Sequence, residues 1–167
     1  MLIYKKVECA DAAQLRELID RVLSSLERKE FFIPYEQWEL DRMFDETYAL
    51  LHGAYDGDKL VGIAQLYCDQ SFTAECVEIL GLEGERVCEL GGNLVLPEYR
   101  GKGIMYCLIK LQSELARIKG YTVAIALAHP ENFSSVRPLE KLGMQYVKTH
   151  LLKDEYLRNI YILRLQI

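Results

Sequence analysis

A chain of 167 residues, half of them hydrophobic, is long enough for one globular domain over residues 1–167 that folds without metals or disulfides. Its formal net charge of −5 excludes a nucleic-acid reader, which needs clustered Lys and Arg, and no apolar run reaches the ~18 residues of a membrane span or forms a signal peptide. Five scattered cysteines, with no C-x-x-C pair and three histidines beside them, provide neither a zinc site nor a disulfide framework, so reduced thiols in a cytoplasmic protein are expected.

Residues 2–7 read as a strand. A helix then starts at Asp11, with Gln14 as its capping-box partner. Leu15, Leu18, Ile19, Val22 and Leu23 give it a one-sided apolar stripe. The aromatic and acidic segment that follows predicts a second helix over 34–45, with Pro34 in its first turn. Strands over 48–55 and 60–67 flank Asp56-Gly57-Asp58-Lys59, a hairpin signal. Residues 70–86 read as a polar connection without assigned structure. A strand over 87–96 leads into a helix over 101–119, ended by Gly120. The apolar run 121–128 suits a strand covered on both faces. A short helix to Leu142 and strands near 144–152 and 158–165 complete an α/β order, with a mixed central sheet of six to seven strands and helices on both faces.

The segment from Val95 to Ile104 is the most informative. A strand enters a turn, Arg100-Gly101-Lys102-Gly103, and leaves directly as an amphipathic helix at Ile104. The first N–H groups of a helix lack internal partners and carry partial positive charge; two glycines let further amides converge, and Arg100 and Lys102 add full charges. That chemistry suits a pyrophosphate. The sequence is neither a P-loop nor a dinucleotide fingerprint, and an ordinary tight turn is the plain alternative.

The flanking residues add a resemblance. Leu94 through Ile104 resembles motif A of the GNAT acetyltransferases, R/Q-x-x-G-x-G/A behind V-x-P, and Asn132 running on to Glu140-Lys141-Leu142-Gly143-Met144 resembles that family's following motif. The resemblance implies acetyl-CoA as cosubstrate, without a metal. The amides of Arg100, Gly101, Lys102, Gly103, Ile104 and Met105 would hold the pyrophosphate, Leu94, Val95 and Leu96 would pair with the pantetheine arm, and Asn132 would approach its far end. Two positions depart from the pattern: Met105 stands where the motif ends in a small residue, and Leu139 where many members place a tyrosine that protonates the leaving sulfur. Ser134, Ser135, Tyr106 and Tyr146 are substitute donors, and a helix starting at Ser134 or Ser135 would put Pro138 in its first turn.

Acetyl transfer to an amine requires a base for the ammonium and a donor for the oxyanion. Glu89 is the candidate base: alternation along the strand places Glu89, Gly91, Asn93 and Val95 on one face, and the histone-acetylating branch of the family implies a glutamate at this position. A surface glutamate paired with Lys or Arg is the competing reading. His129 is the second catalytic candidate, against a hydrogen-bonded loop histidine. Phe31, Tyr35 and Trp38, among nearby carboxylates, are the candidate acceptor-binding residues, and aromatic faces with carboxylates suit a cationic amine; an amphipathic helix with a solvated acidic face is the alternative. The reading is an N-acetyltransferase acting on a small-molecule or peptide amine, with no nucleic-acid or membrane partner and a homodimer left open. A non-catalytic acyl-CoA-binding sensor or interaction module is the other class.

Overall fold

The computed structural model describes residues 1–166. Seven strands form one sheet: β1 (Leu2–Lys6), β2 (Ala49–Asp56), β3 (Lys59–Tyr67), β4 (Val87–Val95), β5 (Val123–Ala128), β6 (Gln145–Leu152) and β7 (Tyr156–Arg164), in the spatial order β1-β2-β3-β4-β5-β7-β6. All neighbours are antiparallel except β4 and β5, which are joined by a helical crossover. Among the described residues five α-helices accompany them: α1 (Ala12–Ser24), α2 (Gln37–Asp41), α3 (Gln70–Leu80), α4 (Ile104–Ile118) and α5 (Phe133–Leu142).

The apolar stripe of α1 buries Leu15, Leu18, Ile19 and Val22 against β3 and β4, and α3 packs Cys76 on the same side with Val87 and Ile125. α4 and α5 cover the opposite face, where Ile109, Ala116, Val136 and Leu139 meet Leu66, Cys88 and Ala126.

Several expectations change. Residues 70–86 contain a full helix, α3; the Asp69 carboxylate caps it by accepting from Ser71 N at 2.9 Å, and Gly81 ends it at φ +63. α3 buries only Thr73 and Cys76, so its apolar stripe is faint in the sequence. The helix expected over 34–45 shrinks to the five residues of α2, because a Glu36–Glu39 capping box starts it after Pro34 and Arg42 leaves helical geometry. Asp11 makes no capping bond for α1; its carboxylate takes the Tyr55 hydroxyl at 2.7 Å, while Gln14 reaches across to Asp58 O and Leu60 N. The helix expected from 101 starts at Ile104, since Gly101 and Gly103 are both left-handed. α5 starts at Phe133, so Pro138 lies well inside it rather than in its first turn.

Two irregularities shape the sheet's centre. Between Ile63/Gln65 on β3 and Gly91/Leu94 on β4, two steps of one strand oppose three of the other, a β-bulge with Gly92 at φ +58. A Cβ on Gly92 would fall 2.5 Å from Gln65 Oε1, so both backbone angle and close approach demand glycine. The bulge also overturns the expected alternation: Leu94, not Val95, continues the face of Glu89 and Gly91, while Val95 turns toward Ile104 of α4. The second irregularity is a parting of strands. The β4–β5 ladder holds only at Val87–Glu89 against Val123–Ile125; beyond that, β5 stays with β7 and β4 with β3. A wedge opens at the sheet's centre, immediately past Glu89.

Candidate active site

The wedge is a groove of about 310 Å³. Its floor includes Glu89, Gly91, Gly92 and Asn93 of β4 and Leu127 and Ala128 of β5, and Asn132 and Leu139 of α5 close one side. Phe31, Tyr35 and Trp38 form an aromatic wall, joined by Tyr67 and Phe72, whose rings stack at 4.0 Å between centroids. Residues that the sequence singled out as base and as acceptor contacts thus meet in one cavity.

Glu89 is 7% exposed. Burial pushes its carboxyl up to about 8, the neighbouring charge of Glu39 adds to the shift, and Lys153 opposes it. Glu39, for whose segment a solvated acidic face is the alternative reading, is buried in this groove, where it accepts the Tyr48 hydroxyl at 3.1 Å and Glu36 N at 2.8 Å. Tyr35 and Tyr67 both donate to Gln65 Oε1, at 3.1 and 3.0 Å, and burial raises the pKa of both phenols. Those two bonds hold Gln65 behind the bulge, where Gln65 Nε2 and Asn93 Oδ1 are buried without hydrogen-bond partners. Trp38 is 44% exposed at the rim and donates from Nε1 to Glu36 at 2.6 Å.

His129 is buried beside the groove rather than in its lining. Nδ1 accepts from Glu131 N at 3.2 Å, and the ring tilts against Phe31 with centroids 5.2 Å apart. Burial, then the Arg158 and Arg28 charges, lower its pKa. The geometry is that of a histidine fixing the turn into α5.

The expected phosphate turn is built as an open cradle. Gly101 and Gly103 have φ of +74 and +75, and nothing lies within 4 Å of a Cβ at either position. The first intrahelical bond of α4 runs from Cys107 N to Gly103 O at 3.1 Å, so the amides of Ile104, Met105 and Tyr106 lack backbone acceptors in the helix. Arg100 is held to Val95 O and Ser25 Oγ, both at 3.3 Å, and Lys102 lies over the Tyr99 ring at 4.5 Å. Met105, in the first turn of α4, links this cradle to the groove that it also lines. Leu94 and Leu96 bury their side chains on the α1 side, and the Leu96 backbone is already engaged, its N–H donating to Val61 O at 3.0 Å and its carbonyl accepting from Tyr99 N at 2.9 Å. Asn132 makes no side-chain capping bond although it precedes α5, so its amide group remains available to the groove.

Sequence reasoning passed over Tyr67, Phe72, Lys153 and Arg158, all of which line the groove. Tyr67 follows Gln65 by two on β3, an alternation that places both beside Glu89, but only the sheet order reveals it. No metal-holding group of three or more His, Cys, Asp or Glu occurs among the described residues, and no helix among them is long and apolar enough to cross a membrane.

A family model described as the acetyltransferase (GNAT) family matches residues 13–144. No curated protein sequence matches. Among solved structures, an N-acetyltransferase from Staphylococcus aureus Mu50 is 17% identical with a TM-score of 0.75, covering 99% of each chain. The putative acetyltransferase yncA from Salmonella typhimurium, solved with its cofactor acetyl-CoA, is 17% identical with a TM-score of 0.72, covering 99% of this chain and 94% of its own. NAA60 from Arabidopsis thaliana, in complex with a bisubstrate analogue, is 12% identical with a TM-score of 0.74 over 99% of each chain.

Proposed function

The chain belongs to the GNAT acetyltransferase family, and on that premise we propose that it transfers an acetyl group from acetyl-CoA to a primary amine of a small molecule or peptide, with Glu89 as general base. The observation that carries this reading is a buried carboxyl, raised to about 8, at the point where β4 and β5 part and opposite an aromatic wall. A base must hold a proton near working pH, and an ordinary carboxylate is too acidic to do so.

The residues present fit acetyl-CoA. The Gly101–Met105 cradle and the exposed start of α4 offer amides to a pyrophosphate, with Arg100 and Lys102 beside them. The unpaired edge of β4 beyond Glu89 offers backbone groups to an extended amide-containing arm, and Asn132 stands opposite. When bound, acetyl-CoA supplies the acyl group as a thioester. Glu89 takes the proton from the acceptor ammonium, Phe31, Tyr35 and Trp38 hold the amine's apolar body and exclude water, and a backbone N–H near Val95 is the donor for developing negative charge on the acyl oxygen. That the Salmonella relative was solved with acetyl-CoA on the same fold supports the choice of cosubstrate.

A second reading has its own support: Met105 and Leu139 line the groove at positions where the family pattern expects a small residue and a tyrosine, as would suit an acyl-CoA-binding module without catalysis. Thiol release from acetyl-CoA across a panel of amines separates the two. Amine-dependent release that is lost in Glu89→Gln supports the enzyme; acetyl-CoA binding without release from any amine supports the module. The protein acts in the cytoplasm in this reading.

A further inference from the structure

One wall of the groove carries two cationic side chains without an ion-pair partner among the described residues: Arg158, whose guanidinium lies 5.9 Å from the Tyr156 ring centroid, and Lys153. Arg158, on β7, is 3% exposed and lines the groove. Nη1 donates to Leu157 O at 2.7 Å and Nη2 to Glu30 O at 2.9 Å, both backbone carbonyls. A guanidinium has five N–H donors, so three remain. Glu30 and Glu131, on two of the adjoining loops, pair with Arg28 at 2.7 and 2.8 Å. Among the described residues Arg158 has no carboxylate within ion-pair distance, and burial holds its pKa below the usual guanidinium value. Lys153, at the β6–β7 turn, lines the same groove; Glu75 binds its backbone N at 3.1 Å, but its ammonium has no ion-pair partner among the described residues.

A buried charge without a counter-ion is costly, and it persists where a ligand completes it. The opposite charge comes from Glu39, which lines the same groove beside the proton-holding Glu89. An acceptor that is merely cationic answers Glu39 and leaves Arg158 desolvated and unpaired. One that carries both charges answers both sides, and the planar fork of a guanidinium matches a carboxylate.

We propose that the acceptor is a zwitterionic amine of the amino-acid class, its carboxylate paired with Arg158 beside Lys153 and its amine directed at Glu89. The proposal rests on the acetyl-transfer reading above. It also narrows that reading, since the aromatic wall then receives the side chain rather than the ammonium.

The test offers the wild-type protein, at saturating acetyl-CoA, amines that differ by one carboxylate: phenylalanine against phenethylamine, and lysine against cadaverine. The carboxylate member should have a kcat/KM at least tenfold higher, and that ratio should fall toward one in Arg158→Gln, with Arg158→Lys between. Equal or reversed values in the wild type overturn the proposal, as does a ratio that Arg158→Gln leaves intact. If Arg158→Gln fails to fold, the wild-type ratio decides. A binding measurement needs no turnover: Trp38 fluorescence with CoA present compares N-acetylphenylalanine with N-acetylphenethylamine. Tighter binding of the carboxylate in a protein that transfers nothing upholds the carboxylate subsite at Arg158 and overturns acetyl transfer; equal binding overturns the subsite and with it this inference.

Discussion

Glu39, on the five-residue helix α2, and Glu89, in the middle of β4, share one buried groove, and the charge of Glu39 adds to burial in holding Glu89 protonated up to about 8. The base of the proposed reaction is therefore set by a residue from the acceptor-binding segment. An acceptor that displaces water there also touches the groups that decide the charge of Glu89.

Replacing Glu89 by Gln should lower kcat by roughly 10²–10⁴ while acetyl-CoA affinity stays nearly unchanged. In the wild type kcat/KM should rise with pH toward about 8, where the carboxyl becomes the free base. That limb should vanish in the variant. A Glu89→Gln protein as active as its parent on its best amine would falsify the assignment.

Replacing Glu39 by Gln removes the neighbouring charge but not the burial. The acidic limb should move to lower pH, with kcat on its plateau falling far less than in Glu89→Gln. A profile that stays in place shows that burial alone sets the pKa of Glu89.

The same shift affects stability. The folded-state pKa of Glu89 lies above its ordinary value of 4.5, so between 4.5 and about 8 the folded protein holds a proton that the unfolded chain has released. Below 4.5 there is no penalty; above it stability falls with rising pH, by at most about 1.4 kcal/mol per unit, until the folded carboxyl ionises near 8. Urea unfolding from pH 5 to 8.5 should show Glu89→Gln gaining on the wild type across that window. Parallel curves would mean that Glu89 titrates normally in the folded protein.

Gly103→Val should weaken CoA binding at least tenfold, about 1.4 kcal/mol, by calorimetry. Valine resists the left-handed angle of +75 and places a branched side chain where the open cradle would receive phosphate. Unchanged affinity would remove the turn from the cofactor site.

No single general acid should prove essential. Leu139 is buried in the groove and cannot donate a proton. Tyr146 is exposed and hydrogen-bonded to Thr149, and Tyr106 packs under Lys141; neither lines the groove, whereas Ser135 does and Ser134 does not. Tyr→Phe at 106 or 146, and Ser→Ala at 134 or 135, should each cost less than about tenfold in kcat at saturating acetyl-CoA. A thiolate whose acid has a pKa near ~8.5 leaves without full protonation. A thousandfold loss in any one of the four, with cofactor binding intact, would identify the missing acid.

The sequence determined by itself whatever rests on contiguous residues. The α1 stripe, the Asp56–Lys59 hairpin and the Arg100–Gly103 turn each hold their physical cause within a dozen positions: helical period, turn chemistry, amides left free by a helix start. Tertiary structure alone decided what depends on which surfaces meet. Glu39 looks like any solvated carboxylate until α2 folds over Tyr48, and Arg158 like any polar strand residue until the Lys29–Phe31 turn covers it. The helix α3 was hidden because its two buried residues leave almost no stripe. The face of Val95 departs from simple alternation because one extra residue at Gly92 reverses a pattern that local sequence has no means to interrupt. Burial, and with it charge state, belongs to the pairing of distant segments, whose cost and gain no short window of residues contains.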